Sequence, residues 1–545
     1  MKLINGNIEE NLRFQIIEVQ SQLKKTETYI SNPSHDLRDS ILSRDDYIDN
    51  LKTTIQRKCF ALATNKANAS KRDNLKAINT VASSLERIAD FCEKIVKQIT
   101  YIEEYDIFKS YDFTPLFAEI TTGISLVHKT VINGDVKMAI SICKIEKTID
   151  VLYAEMLNKI LLELKSGKNT QSLVTTIFIA RYLERMGDSL LNIGESVISS
   201  FLGERIKIEQ LEVLEKSLID ADLNPKISDL SLEAMGETKS GCRIDLVSSR
   251  NENDTATMMI FKEGHPEKLK KEKIGVDFWD TLMPGIVPSI YGYHQQGDSA
   301  ALLFEFLNGD TFEKILLTGT DDEFSKAQYI LKQTLSSVWL KTRREEQKPA
   351  RFIEQIRDRI DNVYAVHPDF SSKNVVFGEM IIPSFRSLLD EAEAIEKDLV
   401  SPFSVLTHGD FNIDNIIYDE QTGKIRFIDM HRSSIADYVQ DISVFMVSNF
   451  RLQVFDATVR RRINQTICRF YIFAAEAAKE TGDKTFNIRL AVGLDGSLAT
   501  STRFVLDKDI ACDMLLRSRY LLEAVVRAKP GHYARFKLPE DVIIA

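Results

Sequence analysis

VLTHGDFNIDNIIYD, residues 405–419, sets His408, Asp410, Asn412, Asp414 and Asn415 between two apolar, strand-like runs. So many short polar side chains do not belong inside a sheet core, and the stretch reads as strand, loop, strand. A second stretch, KIRFIDMHRSS at 424–434, carries an apolar run that ends on Asp429. Acidic residues at the ends of two neighbouring strands suggest a metal-phosphate site. An aspartate on such a loop can take the proton of a substrate hydroxyl. Mg2+ takes one or two carboxylates together with phosphate oxygens and water. Asp410 is therefore the candidate base, with Asn415 and Asp429 as candidate Mg2+ ligands.

Phosphoryl transfer also needs positive charge on the nucleotide phosphates. Lys262 lies at the end of the strand-like ATMMIFKE (256–263), and Glu272 follows on a helical stretch where an ion pair would hold the lysine. GETKSGC (236–242) offers a turn with Gly236 and Gly241 to cover the phosphates, although it is not a Walker sequence. LLFEFLNG (302–309) reads as a strand running into a hinge, where the backbone of Glu305, Phe306 and Leu307 would bond an adenine.

The whole chain has 545 residues, room for three or four structural units. Its 44% hydrophobic and 28% charged residues describe a globular protein, and a net charge of −10 argues against a nucleic-acid partner. The six cysteines form no CxxC pair, which fits a reducing cytoplasm rather than a disulfide scaffold. No signal peptide or membrane-length apolar run is expected.

Residues 1–205 read as all-helical and 206–232 as a charged connector. Residues 233–320 read as a small α+β unit, and 321–545 as mainly helical around the two opening strands. Within the helical half, SLERIADFCEKI (84–95) matches YLERMGDSLLNI (182–193), and RDDYIDNL (44–51) matches KIEKTIDVL (144–152). The repeat pairs Glu86 and Asp90 with Glu184 and Asp188, and Asp45 and Asp49 with Glu146 and Asp150. Each pair sits at i and i+4, stacked on one helix face. Such like charges repel, and either solvent, nearby arginines such as Arg87 and Arg185, or a bridging metal would relieve them.

These motifs resemble the PhoU family of cytoplasmic phosphate-uptake regulators over about 35–205. The resemblance implies a duplicated pair of three-helix bundles, whose eight acidic positions, Asp45, Asp49, Glu86, Asp90, Glu146, Asp150, Glu184 and Asp188, would bind iron, zinc or manganese. The second motif follows the family pattern, whereas Ala89 replaces the usual glycine in the first.

The order Lys262, Glu272, hinge, His408-x-Asp410-x4-Asn415, Asp429 resembles the aminoglycoside phosphotransferase and choline kinase family, over about 233–530. That resemblance implies an α+β protein-kinase-like fold, ATP and Mg2+ as cofactors, and a small-molecule acceptor. It makes Asp410 the base, Asn415 and Asp429 the Mg2+ ligands, Lys262 the α/β-phosphate contact and Glu272 its partner, with Asp437 and Asp441 in support. Asp414 departs from the family, which has glycine there. The acceptor region would lie within 345–400 and 445–530, where Arg460, Arg461 and Arg462 offer a basic turn. The whole is thus expected to be a multidomain, regulated kinase of the cytoplasm. A phosphate transporter or sensor protein and a second copy of the chain are its expected partners. A nucleotide-binding regulator without catalysis is the alternative.

Overall fold

A computed structural model describes residues 6–64, 72–220, 230–235, 242–250, 256–297, 299–349 and 351–544. The chain forms two compact units, Met1–Glu263 with His294–Leu303, and Gly264–Tyr293 with Phe304–Ala545. Gly236 and Gly241 lie outside the described residues.

Among the described residues, the first unit begins with nine helices: α1 (Gly6–Ser31), α2 (His35–Leu42), α3 (Asp45–Ala63), α4 (Arg72–Ile99), α5 (Tyr105–Lys109), α6 (Thr114–Asn133), α7 (Val136–Leu164), α8 (Thr170–Leu202) and α9 (Ile208–Asp220). Helices α1, α3 and α4 form one bundle, α6, α7 and α8 a second, and the two join along α4 and α8. This is the expected duplication. Apolar residues at three- and four-residue intervals produce it, as Ile78, Val81, Leu85, Ile88, Cys92, Ile95 and Ile99 do along α4, all of them buried. Buried glutamines of α1 add polar fasteners: Gln15 Nε2 donates to the Ala82 carbonyl at 2.8 Å and Gln22 Nε2 to that of Ala89 at 3.4 Å. On α8, a Cβ at Gly194 would fall 2.4 Å from Cys143 Sγ and 2.7 Å from the Ala139 carbonyl, so only glycine lets α8 close on α7 there.

Residues 206–232, expected as a connector, instead contain α9. Ile208, Leu211, Leu214 and Leu218 recur at helical spacing and are buried in the same core as the bundles. That core continues into a five-stranded sheet made of β1 (Leu230–Ala234), β2 (Arg243–Arg250), β3 (Ala256–Gly264), β4 (Ile290–Gln296) and β5 (Ser299–Glu305), in the order β1-β2-β3-β5-β4. Leu230, Leu232, Val247, Met259, Phe261, Ala301 and Leu303 share one apolar cluster with the helices. Gln210 Nε2 of α9 donates to Glu263 Oε2 at 2.6 Å, and Ser299 Oγ donates to Glu263 Oε1 at 2.8 Å. These contacts make the sheet strands part of the helical unit.

The second unit contains α10 (Pro266–Leu282), β6 (Asp310–Thr311), α11 (Phe312–Thr318), α12 (Asp321–Thr342), α13 (Phe352–Val366), β7 (Val375–Phe377), β8 (Met380–Ile382), α14 (Phe385–Glu396), β9 (Val405–Thr407), β10 (Ile416–Asp419), β11 (Lys424–Phe427), β12 (Ser434–Ala436), α15 (Val439–Phe450), α16 (Ala457–Glu480), α17 (Phe486–Ser501) and α18 (Lys508–Val526). Its small sheets are antiparallel. β10 lies between β11 and β6, with Ile416 opposite Phe427, and β9 pairs with β12, with Thr407 opposite Ser434. The loop 408–415 therefore runs from β9 to β10, and Asp429 follows β11. Among the described residues, no helix is long and apolar enough to cross a membrane.

Candidate functional site

The loop after β9 is built around His408, which is fully buried. Its Nε2 lies 2.9 Å from the Ile428 carbonyl, and its Nδ1 accepts the Asp410 backbone N–H at 3.3 Å. The bond at Nδ1 places the ring proton on Nε2, where it is donated to Ile428. Burial lowers the pKa of this histidine despite the nearby Asp410 and Asp429 charges. A neutral, doubly bonded imidazole is a brace, not a proton carrier.

Ile428 is gripped from both sides, because its own N–H donates to the Asn415 carbonyl at 3.1 Å. Asp429 is thereby set beside Asn415. The Asp429 backbone has φ of +66°, a left-handed conformation that aspartate tolerates better than most residues. Its Oδ1 lies 2.9 Å from His431 Nδ1. Asn415 Nδ2 donates to the Asp410 carbonyl at 2.9 Å, so the amide oxygen is the end that Asn415 presents elsewhere. The buried Oδ1 of the adjoining Asp414 has no hydrogen-bond partner among the described residues. These hard oxygens are the kind that Mg2+ takes.

Asp441, near the start of α15, holds the loop from below. Its Oδ2 accepts the His408 N–H at 2.7 Å and its Oδ1 the Gly409 N–H at 2.9 Å. Burial pushes its pKa up to about 7, against the pull of those two donors. Gly409 has φ of +79°, and a Cβ there would fall 2.3 Å from the Arg432 carbonyl. The glycine in the motif is thus a requirement of close approach. Arg432, which sequence reasoning missed, bonds Asp410 Oδ1 through Nη1 at 3.2 Å.

At the hinge, Arg426 Nη1 donates to Glu305 Oε1 at 2.7 Å, the Ser289 N–H donates to Oε2 at 3.1 Å, and the Glu305 N–H donates to the Ser289 carbonyl at 2.9 Å. Burial would raise the Glu305 pKa, but these donors lower it. Glu305 is scaffolding, and Phe306 and Leu307 follow it outside any strand. Helix α10 is seated by Gly275, where a Cβ would meet the Met430 carbonyl at 2.3 Å, and by Trp279 Nε1, which donates to Ser433 Oγ at 2.9 Å. Glu272 is buried on this helix, one turn before Gly275. Lys262 is buried on β3, opposite Ile244, and belongs to the first unit.

The acidic repeats show a different arrangement. Lys52 Nζ bridges Asp49 Oδ1 at 2.6 Å and Glu86 Oε1 at 3.2 Å, while Lys94 holds Asp90 at 2.6 Å. In the second repeat Arg181 holds Glu184 at 2.6 Å and Arg185 reaches Asp188 at 3.4 Å. Burial and then Glu93, Asp90 and Glu86 raise the Asp45 pKa. Burial and then Asp150, Asp188 and Glu209 push Glu146 up to about 7. Among the described residues, no group of three or more His, Cys, Asp or Glu side chains is placed to hold a metal ion. Asp49, Glu86, Asp90, Glu184 and Asp188 thus face cations of their own chain, whereas Asp45 and Glu146 face other acids.

A model of the PhoU domain family matches residues 18–99 and 117–197, and one of the ecdysteroid kinase-like family matches 323–472. The phosphate-specific transport system accessory protein PhoU of Serratia marcescens is 26% identical over 226 residues, 39% of this chain and 90% of its own length. The PhoU homolog of Borreliella burgdorferi is 28% identical over 189 residues, 33% of this chain and 84% of its own. The ethanolamine kinase of Plasmodium vivax covers 61% of this chain and 92% of its own, at a TM-score of 0.35 and 14% identity. The N-terminal half of the chain carries PhoU domains, and the C-terminal half carries a kinase-like domain that matches the ecdysteroid kinase-like family over 323–472.

Proposed function

We propose that the C-terminal half transfers the γ-phosphoryl group of ATP to a hydroxyl of a small molecule, and that the PhoU repeats regulate or tether it in the service of phosphate uptake. The observation that carries this reading is the tie His408–Ile428–Asn415, which sets Asp410, Asn415 and Asp429 side by side. The acceptor hydroxyl gives its proton to Asp410, its oxygen bonds the γ-phosphorus, and the bond from that phosphorus to the leaving oxygen of ADP breaks. Arg432 occupies Asp410 Oδ1, so Oδ2 is the oxygen that receives the proton. Asn415 and Asp429 would hold Mg2+, whose positive charge would offset the negative charge of the phosphates when bound. The backbone of Phe306 and Leu307 is assigned to the adenine. The names of the PhoU relatives, accessory proteins of a phosphate-specific transport system, support a phosphate transporter as partner; a sensor protein as the other partner, a cytoplasmic setting and a homodimer complete the reading.

The test is ATP consumption by the purified chain with Mg2+ across a panel of hydroxyl compounds. Acceptor-dependent turnover that disappears in both Asp410→Ala and Asp429→Ala is expected, and unchanged turnover in both sinks the reading. One observation favours a second reading, a nucleotide-binding regulator: the unpartnered carboxylate oxygen of Asp414 places extra negative charge next to Asn415. Under that reading ATP binds and is not consumed with any acceptor.

A further inference from the structure

Three arginines from separate elements of the second unit bear on Asp410, one by a hydrogen bond and two through its charge. Arg432 comes from the segment after β11 and bonds Asp410 Oδ1. Arg359 comes from α13 and Arg503 from the 3-10 turn Thr502–Phe504. Helix α13 is fixed at both ends. Buried Glu396 accepts the N–H groups of Phe352 at 2.6 Å and Ile353 at 3.3 Å at its start. At its other end, His367 Nε2 lies 3.1 Å from the Thr502 carbonyl and 3.0 Å from that of Val505, clamping the turn that carries Arg503. Gln355, one turn before Arg359 on the same face, reaches Gln440 Oε1 at 3.4 Å, next to the Asp441 that supports the catalytic loop.

Arg432 is bonded to Asp410 and Arg503 lies over the Phe504 ring, but the other donors are not spent on the protein. Among the described residues Arg359 makes no hydrogen bond and no ion pair, and Arg503 Nε is buried without a hydrogen-bond partner. Burial and then the charges of Arg432 and Arg503 lower the Arg359 pKa, opposed by Asp410 and Asp358. Burial and then Arg432 lower that of Arg503, again opposed by Asp410. Guanidinium groups gathered in this way repel one another, and folding alone gives no reason to collect them at a catalytic aspartate. An anion bound among them removes the repulsion and uses the planar donor geometry of arginine.

We propose that the acceptor carries, besides its hydroxyl, a carboxylate or phosphate group that Arg359, Arg432 and Arg503 hold beside Asp410. This rests on the phosphotransferase reading and adds the charge class of its substrate. Asn415 and Asp429 serve the nucleotide side, whereas α13 and the 502–504 turn come from the parts of the chain assigned to the acceptor.

The test uses the full chain and matched probes: glycerol 3-phosphate and glycerate against glycerol and ethanolamine. Binding is measured by calorimetry with and without a non-hydrolysable ATP analogue, and turnover by ADP release. The anionic probes are expected to bind and, with ATP, to be turned over roughly 100-fold better in kcat/KM than the neutral and cationic ones. Arg503→Met and Arg359→Met are expected to erase that preference, and Arg503→Lys to restore part of it. Circular dichroism establishes that each variant is folded. Anion binding that the arginine variants abolish, with no turnover in any chain, supports the anion site and overturns the phosphotransferase reading. Turnover of ethanolamine or glycerol that the arginine variants leave unchanged overturns the anion site and keeps that reading. Anion binding that competes with the ATP analogue assigns the arginines to nucleotide phosphates and overturns the proposal.

Discussion

Two sets of charges in the second unit invite comparison. In one, Arg489 of α17 is ion-paired to both Asp437 and Asp483, and Tyr438 Oη donates to Asp483 Oδ2 at 2.6 Å. The arginine is 1% exposed, and its pKa, which burial alone would lower, is raised by its two carboxylates. In the other, Arg359, Arg432 and Arg503 gather around Asp410, and two of the three lack an ion pair among the described residues. Buried charge that is fully paired belongs to the architecture, because each group is the reason the other can be buried. Cations gathered beyond what the fold can pair mark a place where the missing charge is to arrive from solution.

The largest effect expected on this comparison is on catalysis. Asp410→Ala removes the group on which the arginine set converges, and a loss of about 10²–10⁴-fold in turnover is expected from ADP-release assays. Retained turnover would leave the arginines facing nothing chemical. Next comes stability. Arg489→Met strands two buried carboxylates and is expected to cost about 3–5 kcal/mol in denaturant unfolding. Arg503→Met removes a charge that has no ion pair, and a change within about 1 kcal/mol is expected. Equal losses in the two variants would dissolve the distinction. An intermediate case is Asp441, balanced by two backbone N–H groups instead of a cation. Asp441→Asn keeps the shape but leaves one donor facing an amide nitrogen, and a loss of about 1–3 kcal/mol is expected by the same measurement.

The two sets were not equally legible in the sequence. Asp410 and Asn415 lie in the loop between two strand-like runs and Asp429 ends the next one, so short-range spacing points to all three, and the loop and strands stand where expected. Arg359, Arg432 and Arg503 belong to three elements that only the tertiary fold brings together. The sequence instead displays the consecutive Arg460, Arg461 and Arg462. Helical geometry sends such neighbours to different faces, and the structure gives Arg460 to the carbonyls of Phe450 and Leu452 and Arg462 to those of Gly319 and Thr320. The role of Asp437 as half of a buried pair was hidden for the same reason, since Arg489 is 52 residues away. Helix α9 is legible in IEQLEVLEKSLID, which has apolar residues at 208, 211, 214 and 218, although its charged positions suggest a connector. The duplicated PhoU bundles were plain because the same short motifs recur at matched helix positions.

Asp495 sharpens the comparison from the opposite sign. It is fully buried on α17, its Oδ1 accepts a hydrogen bond from Ser518 Oγ at 2.5 Å, and its Oδ2 has no hydrogen-bond partner among the described residues. Burial, with a smaller contribution from Glu396, pushes its pKa up to about 8. The unfolded chain gives up this proton near the usual aspartate value, about 4. Between about pH 4 and pH 8 the folded state therefore holds more protons than the unfolded one, and this group's contribution to stability falls as pH rises through that window. Asp495→Asn carries no proton to lose. The variant is expected to gain on the parent by up to about 5 kcal/mol from pH 4 to pH 8, read from denaturant midpoints at the two values. A parallel pH dependence in the two chains would mean that Asp495 is ionised and balanced by solvent, and that an unpaired buried charge is an unsafe guide to function here. A gain that grows with pH would show that this fold keeps an acid neutral where it has no counter-ion. An arginine has no such escape, because it stays charged at any pH at which the protein works. The charge at Arg359 and Arg503 is then left to be met by a ligand.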